Sequence, residues 1–249
     1  MDERRFAEAC AAALSPENRS GIGTLGEKTL HAVLKRYFEP VPRFHEIEVA
    51  GFVADICRPD GIIEIQTRSL DKLGRKLPAF LERGPVHVVY PLPCRKTVSW
   101  VDPLTGEATP PRRSPKTGTP CDAFRELYRL RAFLPHPNLW VHLLLIDMAE
   151  FRYLNGWSAD RKRGSSRCDR IPQQLAAEYL LHLPRDFSCL IPDGLPQPFT
   201  TTEFQKAARV SPRAAGCGLA LLGGLGLTER CGKRGRAYLY QITKEELGR

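Results

Sequence analysis

Phe52-Val53-Ala54-Asp55-Ile56-Cys57-Arg58-Pro59-Asp60-Gly61-Ile62-Ile63-Glu64-Ile65-Gln66-Thr67-Arg68 carries two β-rich runs, 51–57 and 62–67, on either side of a turn at 58–61. Side chains alternate along a strand, so Glu64, Gln66 and Arg68 share one face while Ile63 and Ile65 take the other. With two or four residues in the loop around Pro59-Asp60, Cys57 pairs with Ile62 and Asp55 stands opposite Glu64, about 5 Å away. A three-residue loop with a bulge at Gly61 shifts the register by one and separates the acids. Two carboxylates that close repel each other unless a divalent cation lies between them, and Mg²⁺ takes hard oxygen ligands of this kind.

Upstream, 22–38 reads as a helix: Ile22, Leu25, Leu30, Val33, Leu34, Tyr37 and Phe38 recur at helical spacing before Pro40. Glu27 falls inside that apolar arc, where a carboxylate is costly unless paired, metal-bound or at the mouth of a cleft. A helix N-terminal acid with local salt bridges is the alternative. The segment 44–49 reads as a further strand. Downstream the pattern predicts a short basic helix over 70–83 and strands over 86–90, 96–101 and 140–146. Helices and strands mixed in this way give an α/β fold.

The 249 residues hold 37 Lys plus Arg against 28 Asp plus Glu, a net charge of +9, with 42% hydrophobic residues. That composition excludes a wholly disordered chain, and no run approaches the roughly 20 apolar residues of a membrane helix. The acidic and basic start lacks the apolar run of a signal peptide, so a cytoplasmic protein with eight reduced cysteines and no membrane association is expected. The surplus of cations suits an anionic partner. Two stretches concentrate it, a Pro-rich loop over 110–120 and a second over 160–170, both expected to be solvated.

Prolines 184, 192, 196 and 198 mark a boundary, dividing the chain into 1–195 and 196–249. The second part reads as two helices followed by strands over 227–231 and 236–242 around Gly232-Lys233-Arg234-Gly235. From 199 onward it carries nine Lys or Arg against four Glu.

Asp55, eight intervening residues, and then Glu64-Ile65-Gln66, preceded by a helix bearing Gly26-Glu27, resembles the PD-(D/E)XK nuclease superfamily, particularly its Holliday-junction-resolvase-like members. The resemblance covers about 20–92. It implies a restriction-endonuclease-like mixed sheet flanked by helices, with Asp55 and Glu64 as ligands of Mg²⁺ or Mn²⁺. It also implies Glu27 as a first-helix acid and Gln66 at the position usually held by lysine. Glutamine orients water but brings no charge; Arg68, or Lys72 and Arg75 of the next helix, are the candidates to supply it. The C-terminal part resembles a winged helix-turn-helix, which implies DNA contacts by Arg213 of the second helix and by Arg230, Lys233, Arg234 and Arg236 of the wing.

Arg161, Lys162 and Arg163, with Trp157 nearby, are further candidates for nucleic-acid contact. His31, four residues after Glu27, is a candidate to stand near the site, its ordinary reading being a surface or partly packed histidine; Asp147 is a candidate ligand, its ordinary reading being a strand-end acid beside a turn. The expected activity is metal-dependent hydrolysis of phosphodiester bonds in nucleic acid, DNA ahead of RNA, with a homodimer as one possible assembly. The alternatives are a non-catalytic DNA-binding or regulatory protein on the same scaffold and an interaction protein whose basic loops are merely solvated.

Overall fold

A computed structural model describes residues 2–15, 29–154 and 166–243. Helices α1 (Glu3–Leu14) and α2 (Thr29–Phe38) precede a meander of three strands, β1 (His45–Val49), β2 (Phe52–Arg58) and β3 (Gly61–Ile65). A 3-10 turn at Leu70–Leu73 and the short α3 (Leu77–Leu81) cross over to β4 (Val86–Val101), which runs parallel to β3. The two-residue strand β5 (Arg112–Arg113) and α4 (Phe124–Arg129) lead to β6 (Leu139–Tyr153), parallel to β4. β7 (Ser166–Leu181) returns antiparallel along β6. The seven-stranded mixed sheet has the order β1-β2-β3-β4-β6-β7, with β5 on one edge of β4.

Two apolar clusters flank this sheet. Phe6, Leu30, Val33 and Leu34 of α1 and α2 pack on Ile63, Ile65, Val89 and Ile146. Leu70, Leu73, Phe80, Phe124 and Leu127 pack with Ile62, Val88 and Val141. Adjacent residues Ile62 and Ile63 thus feed different cores, as strand alternation requires.

The 70–83 helix is two pieces. Pro78, lacking an N–H, is tolerated only in the first turn of a helix, so the helical run restarts at Leu77. The strands expected over 86–90 and 96–101 are in contrast a single strand running through Pro91 and Pro93, with a register irregularity between Pro93 and Lys96. β3 pairs with β4 only as far as Val89, and β5 pairs with it only from Thr97. Both prolines therefore fall between the β3 and β5 ladders on that side of β4, so no ladder partner there misses their donors.

Nothing in the local sequence pattern marks β7, because Gln173-Gln174-Leu175-Ala176-Ala177-Glu178 is rich in helix formers. Pairing with β6 along nearly its whole length overrides that weak preference.

Past the prolines, a 3-10 segment at Pro184–Leu190 buries Phe187 and Leu190. Then come β8 (Phe199–Thr200), α5 (Thr201–Ala208), α6 (Pro212–Gly224), β9 (Thr228–Arg234) and β10 (Ala237–Ile242). Thr200 and Glu203 cap α5 reciprocally, and Ser211 caps α6. β8, β10 and β9 form a separate three-stranded sheet. The unit has its own sheet but not its own core: Phe199, Phe204, Ala215 and Leu222 join the cluster that holds Phe124 and Leu127. α6 approaches α4 so closely that a Cβ on Gly218 would stand 2.8 Å from the Phe124 ring. Within the connection 184–198, Phe187 and Leu190 are buried while 193, 194 and 196–198 are exposed. No helix among the described residues is long and apolar enough to cross a membrane.

Candidate functional site

The β2–β3 turn contains two residues, Pro59 and Asp60, so Cys57 pairs with Ile62 and Ile56 with Ile63. One step further, Asp55 stands across from Glu64. Each acid is tied to the other's strand: Glu64 Oε1 accepts from the Asp55 N–H at 3.4 Å, and Asp55 Oδ2 accepts from the Ile65 N–H at 2.7 Å. Glu64 is fully buried, 0% exposed.

Two side chains from different helical layers close on this pair. Lys76, just before α3, places Nζ 2.5 Å from Glu64 Oε2 and donates to the Val53 carbonyl at 3.3 Å. Lys76 is thus the ion-pair partner seated directly on Glu64 Oε2. From α2, His31 Nε2 lies 3.4 Å from Asp55 Oδ2.

The two acids consequently differ. Burial first, and the Asp55 charge second, push Glu64 up to about 7, with Lys76 pulling against them. Burial also raises Asp55, but the His31 hydrogen bond and charge, the Ile65 N–H and Lys76 outweigh it, and its carboxyl lies below the usual value. At neutral pH Asp55 is an anion beside a glutamate poised between its two protonation states, as acids at reactive sites often are.

Gln66 follows on β3's line. Its N–H donates to the Val89 carbonyl at 2.9 Å, and the half-buried amide lies beyond Glu64. Lys72 and Arg75 are exposed and form no ion pair with the acids; the cation that does is Lys76, one residue further along. The break between the 3-10 turn and α3 redirects the chain at this point, which helical periodicity through 70–83 cannot show. Of the two readings of His31, the structure takes the one beside the acids, as a partner of Asp55. Asp147 is an arginine anchor, accepting from the Arg95 backbone N–H and Nε, each at 2.8 Å.

Among the described residues, no three or more His, Cys, Asp or Glu side chains are gathered as metal ligands. Asp55 and Glu64 supply two hard carboxylates, and Mg²⁺ commonly takes one or two from a protein, the rest being water and phosphate oxygens. The repulsion between the acids fits such a cation, which would share Glu64 with the Lys76 ammonium already seated on Oε2. Glu27 lies outside the described residues, as do Arg161, Lys162 and Arg163.

Arg68 is exposed just past the acids. Further around the chain, Arg170 is not solvated as expected. It is 8% exposed on β7 and donates to the Thr67 carbonyl. The second unit presents Arg213 and Arg236 in the open. Arg234 is paired with Glu203 at 3.0 Å. Lys233 and Arg230 lie over the Tyr238 ring at 5.0 and 4.4 Å. All eight cysteines are free thiols.

The chain is similar to a protein of Treponema pallidum (strain Nichols) that bears the name "Uncharacterized protein", 33% identical over 233 residues and covering 88% of this chain and 87% of that one. No solved structure matches. A family profile described as "Domain of unknown function (DUF8091)" matches residues 28–182. That span runs from the start of α2 to the end of β7, so it includes Asp55, Glu64, Gln66 and Lys76 and stops short of the second unit. With more than half of its length matched, the chain belongs to the DUF8091 family.

Proposed function

We propose that this protein is a metal-dependent nuclease-like enzyme acting on phosphodiester bonds of nucleic acid, built on a restriction-endonuclease-like sheet with a winged-helix unit behind it. The observation that carries the reading is the even β2–β3 turn, which brings Asp55 opposite a buried Glu64 with Lys76 beside it. Asp55 and Glu64 would hold Mg²⁺ or Mn²⁺, which lowers the pKa of bound water and offsets charge on the phosphate.

The chain's own residues do the remainder. The Ile65 N–H and His31 orient the Asp55 carboxylate. Lys76 supplies the positive charge that Gln66 lacks, and Gln66 offers an amide to orient water. Arg68, with Arg213, Lys233, Arg234 and Arg236 of the wing unit, provides backbone contacts of low sequence discrimination, DNA being the favoured polymer. Glu27, Arg161, Lys162 and Arg163 keep the roles proposed for them from the sequence.

The test is a cleavage panel of single-stranded, duplex and branched DNA and RNA with Mg²⁺, Mn²⁺ or EDTA. Asp55→Ala should abolish cleavage, and Lys76→Gln should slow it about 10²- to 10³-fold. Wild-type protein inactive on every substrate would sink the enzyme reading. The second reading, a non-catalytic nucleic-acid-binding protein, is favoured by one feature: Lys76 already neutralises Glu64 without any metal. Under it, binding survives while Mg²⁺ fails to register in titration calorimetry.

A further inference from the structure

A second enclosed carboxylate on the large sheet is Glu150 of β6, 2% exposed. Lys96 of β4 donates to its Oε2 at 3.3 Å, Arg152 of β6 donates through Nε to Oε1 at 2.5 Å, and Arg167 Nε of β7 lies 3.8 Å from Oε2. Arg170 stands in the field of the same acid, with Arg68 and Arg167 near it. Three cations therefore pair with one anion, Arg170 lies next to them, and Arg68 follows beside Arg170.

We propose that this cluster is a phosphate-binding groove for one strand of nucleic acid, leading from Arg68 away from the acid pair across β7, β6 and β4. The inference rests on the nuclease reading and deepens it by locating the substrate strand.

Several independent features carry it. A single acid offsets a single charge, so the remaining cations repel one another. Burial first and Arg167 second hold the Arg170 guanidinium down to about 10, a burden that an incoming anion relieves. The Arg167 Nε is enclosed without a hydrogen-bond acceptor, yet its side chain is 35% exposed. Lys96 and Arg152 are also open to solvent in part, so an anion can reach the cluster.

Four of the five cations are arginines, whose planar forks match phosphate oxygens in pairs. With Lys96 they are spread over three strands and the loop after β3, a layout for successive phosphates rather than one small ion. Arg170 fastens this array to the acid pair through the Thr67 carbonyl, one residue beyond Gln66.

The test is fluorescence anisotropy with a labelled single-stranded oligonucleotide in EDTA, across a salt series, comparing wild type with Arg68→Ala/Arg167→Ala. The double variant should bind about tenfold more weakly, and its slope of log affinity against log salt should be shallower by about 1.4, since each phosphate of a single strand that is no longer neutralised takes away about 0.7. Wild-type affinity and slope in a double variant that melts like wild type would overturn the groove and leave a cage that serves only Glu150. If the double variant does not fold, Arg68→Ala alone decides: the exposed residue should shift the slope by about 0.7, and an unchanged slope overturns the proposal.

The two readings fail separately. Wild type that binds with the stated slope but cleaves nothing keeps the groove and sinks the nuclease; cleavage with unaltered binding by the variant sinks the groove alone.

Discussion

Glu64 and Glu150 are both enclosed on the same sheet, and their surroundings drive them in opposite directions. Glu64 shares one lysine with a second acid, Asp55, and burial with that neighbouring charge raises it to about 7. Glu150 faces Lys96, Arg152 and Arg167. Burial raises it too, but those cations overcome burial and hold its carboxyl below the ordinary value. One site is short of positive charge and the other has too much. Thr67 and Arg170 join the two sites, and on the proposed readings a cation would answer the first and a polyanion the second.

The largest expected effect tests the first half of that contrast. A carboxyl whose folded pKa lies above its unfolded value contributes stability that is fully present below the unfolded pKa, here 4.5, and is lost as pH rises through about 7. Glu64→Gln should remove this loss. Its stability relative to wild type should rise by about 3 kcal/mol between pH 4.5 and pH 8, at about 1.36 kcal/mol per pKa unit, measured by urea unfolding at both pH values. Saturating Mg²⁺ should flatten the wild-type slope in the same range, because a metal ligand must be ionised. A wild-type curve indifferent to Mg²⁺ would break the cation side of the comparison.

Glu150 carries the opposite sign. A depressed carboxyl contributes stability above its unfolded pKa and loses it as pH falls through the folded one. Glu150→Gln should therefore destabilise the protein at pH 7 by about 2 kcal/mol, less than a fully buried pair costs because its cations reach solvent. The same variant should bind the single-stranded oligonucleotide more tightly than wild type, since the competing anion is gone. Weaker binding would break the anion side.

The smallest effect concerns Gln66. With Lys76 already on Glu64, a second ammonium adds little, so Gln66→Lys should change the cleavage rate by no more than about threefold while Lys76→Gln slows it severely. A large gain from Gln66→Lys would show that Lys76 does not stand in for the absent lysine.

Much of the acid pair is legible in the sequence. Period-two alternation, Arg58-Pro59-Asp60-Gly61 and the spacing of Asp55 from Glu64 are local, and an even loop is one of two registers open to them. The two-residue turn selects it. Lys76 is not legible, because its position depends on where Pro78 restarts the helix rather than on any periodicity in 70–83. β7 is invisible for a different reason: its residues individually favour helix, and only β6 alongside makes them a strand.

What the sequence by itself determined was the α/β class, the β2–β3 hairpin and the types of residue available for chemistry, since these follow from backbone preferences and alternation over a few neighbouring residues. Only the tertiary structure decided which charges meet. Glu64 has no partner near it in sequence that reveals its burial, Lys76 reaches it from twelve residues on, and Arg170 finds the Thr67 carbonyl across 103 residues of chain. The physical reason is that a charge acts over ångströms in space whatever its separation along the chain, so its effect becomes definite only when packing has set the distances and excluded the water.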